Sequence, residues 1–354
     1  MKKAIKIILW SLLILTVVIL AGAWSIFGDL VNGARSVQKL DDKLYYMEYE
    51  GDDGFDELMA GGGIKNATDL SIALSKFLSK GYYDPSATPD SMNFGCSTLT
   101  ARTPDGHVLM GRNFDYPSAT AMILHCKPTR GYESISTFNV EFLGFGDGWQ
   151  PEGFKNQYMA LSCLFVALDG INEKGFAIAD LMAGDDVVTD QNTGKPNLTT
   201  TAAIAYLLKN ASSVDEAVKL LSNIDMHSDI GAAHHYAMSD ASGRSVVVEY
   251  VDNEMVVTET RAVTNHYLCE QKLGAGLVEG DNRYEKLCSA YDDAQGVMDT
   301  PQFSETVFSV AQEPWGESRI GGTLWTMIMD LTNPSVTYYS QRQFDKPFKF
   351  EIGK

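Results

Sequence analysis

The stretch from Gly95 to Pro117, GCSTLTARTPDGHVLMGRNFDYP, carries the clearest structural signal in this chain. Its two halves have the period of two that is typical of β-strands. The segment 103–106, Thr-Pro-Asp-Gly, separates the halves and is a strong hairpin signal. We therefore predict two antiparallel strands, 96–102 and 107–114, so that the end of the second strand returns to the start of the first.

This hairpin brings three chemically distinctive residues together. Cys96 opens the first strand after a glycine, the residue that most easily adopts a strained peptide geometry. Arg112 and Asp115 lie at the returning end of the second strand. A guanidinium lowers the pKa of a nearby thiol, and a carboxylate can orient both groups. The pattern predicts a reactive thiol, whereas for a single cysteine an inert buried thiol beside a surface ion pair is the ordinary alternative.

The remaining pattern indicates an α+β protein rather than alternating βαβ units, because runs of strands are followed by helices and then by strands again. The segment before Cys96 is irregular apart from one helix. Helices are predicted at 66–80, 199–210, 214–223 and 281–295. Further strands are predicted at 120–126, 135–143, 161–168, 175–182, 236–240, 245–250, 254–264, 323–331 and 335–341.

The first thirty residues form a separate unit. Lys2, Lys3 and Lys6 precede an uncharged run over 7–27, which is long enough to cross a bilayer. The small residues of 21–23, Ala-Gly-Ala, also fit a signal-peptide cleavage site, so a retained anchor and a removed signal both stay open. Either alternative predicts that the rest of the chain is extracytoplasmic.

Charge and cysteine content exclude other classes of protein. With 28 Lys+Arg against 46 Asp+Glu, the net charge of −18 opposes nucleic-acid binding. The five cysteines are an odd number, so at least one thiol is free. Cys269 and Cys288 flank a helical stretch and could form a disulfide, which the sequence does not decide.

No metal or cofactor is predicted. His234 and His235 are adjacent in a strand and point to opposite faces. The acidic residues Asp185, Asp186 and Asp190 lack the spacing of a calcium loop and fit a solvated turn. The chain has no zinc-ligand spacing.

Several blocks together resemble the choloylglycine hydrolase family of N-terminal nucleophile hydrolases. That family includes bile salt hydrolases, penicillin V acylases, acid ceramidase and N-acylethanolamine acid amidase, and it is similar to isopenicillin N acyltransferases. The blocks occur in the family's order: Cys96, then GRNFD at 111–115, DGINEKGF at 169–176, HHYAMSDASG at 234–243 with VVE at 247–249, and VTNHY at 263–267.

The resemblance implies a four-layer αββα sandwich and a chain that cuts itself between Gly95 and Cys96. The new α-amino group of Cys96, with an ordinary pKa of about 7.7–8.0, would then act as the base. By family matching, the Asn265 side chain and the Asn172 backbone N–H would stabilise the tetrahedral oxygen, and Arg112 and Asp115 would orient the thiol and the amine. Arg319 is a candidate for an arginine that the family carries late in the chain. His266 is interpreted as a packing residue rather than a base.

These interpretations define three parts of the chain: a signal or anchor at 1–30, a segment at 31–95 that is cleaved but stays associated, and a catalytic domain at 96–354. Phe142, Phe145 and Trp149 lie among glycines and form either one wall of an acyl pocket or an ordinary packed loop. We predict a cysteine amidohydrolase for a linear N-acyl amide of the bile salt, penicillin V or N-acyl amine type. An acyltransferase and a catalytically silent binding protein are the alternatives. The predicted partners are the small substrate and, through an uncleaved N-terminus, a membrane.

Overall fold

The computed structural model describes residues 2–81, 95–145, 148–184, 187–229, 231–313 and 322–353. The α-helices of this part are α1 Lys2–Ser36, α2 Phe55–Ala60, α3 Ala67–Leu78, α4 Gly153–Met159, α5 Thr200–Asn210, α6 Val214–Leu221, α7 Arg283–Asp293 and α8 Thr300–Phe308. The first eight strands are β1 Gln38–Asp41, β2 Leu44–Gly51, β3 Gly95–Arg102, β4 Val108–Asp115, β5 Ala121–Pro128, β6 Ser134–Asn139, β7 Asp169–Asn172 and β8 Ala177–Met182. The others are β9 Asn197–Thr199, β10 Asp225–His227, β11 His234–Ser239, β12 Ser245–Val251, β13 Glu254–Glu259, β14 Ala262–Val263, β15 Thr323–Asp330, β16 Ser335–Ser340 and β17 Phe348–Glu351.

Two large sheets form the body. One has nine strands in the order β1-β2-β5-β6-β7-β8-β11-β12-β13, and the other has six in the order β14-β3-β4-β15-β16-β17. All neighbours in the larger sheet are antiparallel except β2 and β5, which run parallel over eight residue pairs. Strands β9 and β10 form a small separate pair.

Helices cover both sheets. α5 packs on β6, β7 and β8 of the larger sheet through buried residues such as Ile204 and Leu207. α7 and α8 pack on β3, β4 and β14 of the smaller sheet. Polar contacts also join the sheets, such as the bond from Trp325 Nε1 on β15 to Asp169 Oδ2 on β7. The described part therefore has mixed helix and sheet content in stacked layers.

The hairpin predicted around the cysteine is present as β3 and β4. Cys96 lies opposite Phe114, and Thr98 lies opposite Arg112. The turn closes through a bond from Thr103 N–H to His107 O of 2.8 Å. Gly106 has a φ of +92°, which explains a glycine at this position of the turn. The register places Asp115 directly opposite Gly95, at the start of the strand that carries the thiol.

Two predictions about local structure are wrong. The segment 161–168 is not a strand but a 3₁₀ turn at 160–164 followed by buried coil. It is buried on every side, and a continuous apolar run does not distinguish a strand from a packed helical turn. The predicted strand 254–264 is two strands, β13 and β14, which belong to different sheets.

The segment before the cysteine is more ordered than its sequence suggests. β2 is an interior strand of the larger sheet, with Leu44, Met47 and Tyr49 fully buried. After β2, the Asp53 carboxylate accepts a 2.6 Å bond from Lys209 Nζ on α5, and both groups are buried. Burial raises the pKa of Asp53, and Lys209 opposes that rise. Segment 38–81 is thus built into the same body as the residues after Cys96.

Helix α1 has two contrasting halves. Its N-terminal part is apolar and exposed, and it is the one helix of the described residues that is long and apolar enough to cross a membrane. Its last turns pack on β2: Asp29 lies against Gly51, and Ser36 Oγ bonds with both the N–H and the oxygen of Glu48. α1 therefore runs antiparallel to β2, and its apolar half projects from the Gly51 end of that strand.

Candidate active site

Cys96 is fully buried at the start of β3, and its backbone is held on both sides. Its N–H donates to Asn265 Oδ1 at 2.7 Å, and its carbonyl oxygen accepts from Arg283 Nη1 at 3.0 Å. Burial raises the pKa of the Cys96 thiol to about 11, and the Arg112 guanidinium opposes that rise. Burial therefore favours the neutral form of the thiol in this structure.

Arg112 lies between the two sheets, with its side chain fully buried. Its Nε donates to Asp169 Oδ2 at 2.7 Å, and its Nη2 donates to Asp180 O at 3.0 Å. The guanidinium also lies 5.0 Å from the centroid of the Phe114 ring. Arg112 is thus a buried, paired cation that faces the thiol from the inter-sheet side.

Asp115 is also fully buried, and both of its carboxylate oxygens accept hydrogen bonds. Thr323 Oγ1 donates to Oδ1 at 2.6 Å, and Arg283 Nη1 donates to Oδ2 at 2.8 Å. Burial raises the pKa of Asp115, whereas Arg283 lowers it. The carboxylate is fixed beside the backbone of Cys96.

Asn265 completes this cluster. Its Oδ1 accepts from the Cys96 N–H and also from Arg283 Nη2 at 3.0 Å. Its Nδ2 donates one hydrogen to Met182 O at 2.9 Å. An amide nitrogen carries two hydrogens, and within the described residues the second has no partner. Asn265 therefore offers a spare donor beside the cysteine.

A buried pair, His235 and Glu249, holds the segment that carries Asn265. His235 Nε2 donates to Thr264 O at 2.9 Å, and its Nδ1 faces Glu249 Oε1 at 3.2 Å. Glu249 accepts from the backbone N–H groups of Leu268 and Cys269 at 2.8 and 2.6 Å. Burial disfavours the charged form of Glu249, but His235 and these N–H groups outweigh it, so the pKa of Glu249 lies below its ordinary value. The chain is clamped on both sides of Asn265.

Arg283, the first residue of α7, also belongs to this cluster and was not predicted from the sequence. Besides its bonds to Cys96, Asp115 and Asn265, it is fixed by two bonds from its Nε and Nη2 to the Asp281 carboxylate. The only sequence signal was an arginine at the start of a polar helix, which is also typical of a solvated face. Arg319, which was predicted for this kind of role, lies outside the described residues.

Asn172 makes no described contact with this cluster, so its contacts give no support to the oxyanion donor predicted there. Its backbone N–H donates to Phe176 O at 3.0 Å within the turn after β7. Its Nδ2 donates to Leu208 O and Ala211 O, at the end of α5. The asparagine of this motif ties a turn to a helix end. Near Asn265 the site wall is formed by Met182 instead.

A cleft of about 660 Å³ opens beside these groups. Its wall includes Gly95, Asp115, Met182, Asn265 and Arg283, and continues over the loop before α7 and the residues after α8. Apolar and charged side chains both contribute to the wall, and Leu277, Val278, Glu279, Lys286 and Val310 are among them. The cleft thus reaches the residues that surround Cys96, whereas Cys96 itself is buried behind them.

The predicted aromatic wall is not part of this cleft in the described residues. Phe142 packs edge-on against Tyr116 and Phe138, and Phe145 packs against Trp149. These contacts are those of an ordinary packed loop, the alternative that the sequence left open.

The other candidate residues have local partners. His234 and His235 contact different carboxylates, Asp180 and Glu249. His266 lies on Tyr284, and its pKa is lowered by burial and then by His235. Asp190 pairs with His227, whereas Asp185 and Asp186 lie outside the described residues. All five cysteines are free thiols, so Cys269 and Cys288 are not joined.

Comparison with known proteins defines the class. Residues 96–275, just over half of the chain, match the family of linear amide C–N hydrolases called the choloylglycine hydrolase family. The chain belongs to this family.

Particular relatives fall in the same group. A penicillin V acylase from Pectobacterium atrosepticum is 27% identical over an alignment of 219 positions, gaps included, that covers 48% of this chain and 57% of the relative. A bile salt hydrolase/transferase from Clostridium perfringens is 27% identical over 175 residues, 46% of this chain and 50% of the relative. The chain thus spans about half the length of these curated relatives.

Solved structures share the fold. A variant of the conjugated bile acid hydrolase from Clostridium perfringens has a TM-score of 0.52 at 20% identity, over 73% of this chain and 92% of that one. A penicillin V acylase from Agrobacterium tumefaciens has a TM-score of 0.50 at 20% identity, over 72% and 85%. The fold is therefore of the N-terminal nucleophile hydrolase type.

Proposed function

We propose that this protein is an amidohydrolase that cleaves the linear C–N amide bond of an N-acyl substrate with the thiol of Cys96. The observation that carries the proposal is that Asn265 and Arg283 both bond to the backbone of Cys96, while the Asp115 carboxylate holds Arg283 in place. Such a network is expected where the backbone nitrogen of the cysteine becomes a reacting group. Membership of a family of linear amide hydrolases supports the same reaction class.

The first step is self-cleavage between Gly95 and Cys96. Sγ of Cys96 attacks the Gly95 carbonyl carbon, the C–N bond breaks, and the nitrogen takes up a proton to become an α-amine. Water then hydrolyses the Gly95 thioester, which releases a carboxylate and restores the thiol. The bonds that hold Cys96 N–H and O fix the peptide during the attack.

Turnover uses the new amine as the base. It takes the thiol proton, and the thiolate attacks the substrate carbonyl to form a tetrahedral oxyanion. The spare N–H of Asn265 stabilises this oxyanion, and a donor of this type contributes roughly 10²–10³ in rate. The leaving amine takes a proton, and water cleaves the acyl thioester. Arg112 lowers the cost of the thiolate by its charge.

The same thioester could pass its acyl group to an amine instead of water, so an acyltransferase is the alternative. The two reactions share every step up to the thioester. Product analysis with and without an added amine distinguishes them: a free acid in both cases supports the hydrolase, and an exchanged amide as the main product supports the transferase.

We also propose that the catalytic body is extracytoplasmic and that α1 directs it there. The support is the exposed apolar half of α1. The last turns of α1 pack on β2, so a retained α1 would tie the catalytic body to the bilayer through that strand. Alkaline extraction of membranes tests retention: a protein that stays in the pellet is anchored, and one that is released has lost α1.

The function is tested with the purified full chain and a Cys96→Ala variant. Wild-type protein is expected to give two fragments that meet at Gly95/Cys96 and to hydrolyse an amide from a panel of penicillin V, conjugated bile salts and N-acyl amines. The variant is expected to remain one chain and to be inactive. An uncut, inactive wild-type protein would instead support the binding-protein alternative.

A further inference from the structure

The loop at 273–280 exposes aliphatic side chains to an unusual degree. Leu273, Leu277 and Val278 are 71%, 48% and 59% exposed. Outside α1, the described residues include only five other exposed large apolar side chains: Ile72, Phe154, Val187, Val188 and Val297. An apolar strip on the surface of a soluble domain marks an interaction site more often than do scattered apolar residues.

The loop is held in one conformation by hydrogen bonds and close packing. Gly274 N–H donates to Tyr267 O, and Tyr267 N–H donates to Ala275 O, each at 2.9 Å. Gly276, with a φ of +86°, packs its backbone against Ala183 and Gly184, where a Cβ would lie 2.4 Å from Ala183 O. Its hydrogen bonds and close packing therefore fix the loop with its aliphatic side chains facing outward.

Part of the exposed strip, which consists of Leu273, Leu277 and Val278, lies in the same cleft as Asn265 and Arg283. Leu277 and Val278 line the cleft that also contains Asn265 and Arg283. The loop joins these two residues in sequence, and the bond from Asp281 N–H to Val278 O, 3.0 Å, connects it to the carboxylate that holds Arg283. Leu273 is not among the residues that line the cleft, but it lies one turn of the loop from Leu277, whose N–H donates to Gly274 O at 3.1 Å.

We propose that the loop 273–280, here called the acyl loop, binds a long unbranched aliphatic acyl chain of the substrate. This inference rests on the proposed amidohydrolase function and specifies its substrate class. With the amide carbonyl beside Cys96, the chain lies across Val278 and Leu277 and reaches Leu273 at its far end. The three exposed side chains belong to one short loop. We expect them to contact a linear hydrocarbon chain along its length, whereas a polycyclic acyl group would need a broader apolar surface.

The test is a series of N-acyl amides with one common amine and acyl chains of four to fourteen carbons. Burial of a methylene contributes about 0.8 kcal/mol, so kcat/KM is expected to rise up to about fourfold per methylene until the strip is covered. In Leu273→Ser the ratio of kcat/KM between the twelve-carbon and four-carbon substrates is expected to fall at least about fivefold. Because the readout is a ratio, a general loss of active protein cancels.

Two control variants accompany it. Val297→Ser, an equally simple loss of an exposed aliphatic side chain elsewhere, is expected to keep the wild-type ratio. Leu273→Met retains apolar area at this position, so its ratio of kcat/KM between the two substrates is expected to stay close to that of wild type. A wild-type kcat/KM that does not depend on chain length, or a Leu273→Ser ratio equal to that of wild type, would overturn the proposal. Failure of the proposed function differs: no amide is hydrolysed, or hydrolysis persists in Cys96→Ala.

Discussion

Two arginines lie beside Cys96, and they differ in burial and in the groups that they hold. Arg112 is fully buried between the sheets, and its ion-pair partner is the equally buried Asp169. The Arg283 side chain is 12% exposed and lies at the cleft. It donates to the carbonyl oxygen of Cys96, and it also donates to Asn265 Oδ1, which accepts from the Cys96 N–H. One side of the cysteine is therefore part of the core, whereas the other side borders the cleft.

The largest effect is expected from Arg112→Met. Removal of one partner of a buried ion pair leaves Asp169 uncompensated, which typically costs about 3–5 kcal/mol. The free energy of unfolding, measured by urea denaturation, should fall by this amount. Arg130→Met is the matched control, because the Arg130 side chain is 79% exposed in its ion pair with Asp56. It should change the free energy of unfolding by less than about 1 kcal/mol. Equal losses of stability in the two variants would mean that Arg112 contributes no more than a surface arginine. The assignment of Arg112 to the core would then be wrong.

Asn265→Ala tests the cleft side. Loss of an oxyanion donor should lower kcat about 10²–10³-fold with little change in KM. Steady-state kinetics on the preferred amide measures both, and mass analysis first verifies that the variant has matured. Asn282→Ala, which also removes an amide from the cleft wall, should stay within about threefold of wild type. If Asn265→Ala altered KM alone, Asn265 would be a binding residue.

Arg283→Lys keeps a positive charge but loses the planar fork that reaches Cys96, Asp115 and Asn265 together. We expect self-cleavage and turnover to slow by roughly ten- to a hundredfold, with stability changed by less than about 1 kcal/mol. Cleavage is followed by the decay of intact chain on gels and turnover by product formation. If Arg283→Lys lost as much stability as Arg112→Met and kept normal rates of self-cleavage and turnover, Arg283 would instead be a residue of the core.

Glu249→Gln weakens the clamp around Asn265. Turnover should fall about tenfold, because the amide is a weaker acceptor for Leu268 and Cys269 N–H. The pKa of Glu249 is lowered in the folded protein. Its stabilisation is therefore present above the unfolded pKa of about 4.3 and is lost as pH falls through the lower folded value. Urea midpoints between pH 3 and 6 should show this acid loss in wild type and a smaller one in the variant.

Asn172→Ala should have the smallest effect on the chemistry. Its hydrogen bonds hold a turn to the end of α5, so stability should fall by roughly 1–3 kcal/mol while kcat per matured molecule is unchanged. Active-site titration of the thiol gives the number of matured molecules. A loss of kcat comparable to that of Asn265→Ala would restore Asn172 to the oxyanion site.

Sequence reasoning succeeded where the signal is local and failed where it is not. The β3–β4 hairpin was predictable because its turn chemistry and strand period agree. β2 was missed because its parallel partner, β5, is about 70 residues away in the chain, and no local pattern reports that pairing. Arg283 was missed for the same reason, since the contacts that define it come from β3, β4 and the Asn265 segment. The role of Asn172 was not decided by the sequence, because a turn asparagine and an oxyanion-hole asparagine are the same residue type.

The most direct test of the central claim measures the N-terminus and the activity on one sample. Purified full chain is analysed by N-terminal sequencing and intact mass while its amide turnover is recorded over time. We expect a fragment that begins at Cys96 to accumulate and turnover to rise in proportion to it. Normal turnover by a chain in which Gly95 and Cys96 remain joined would show that the Cys96 amine is not the base.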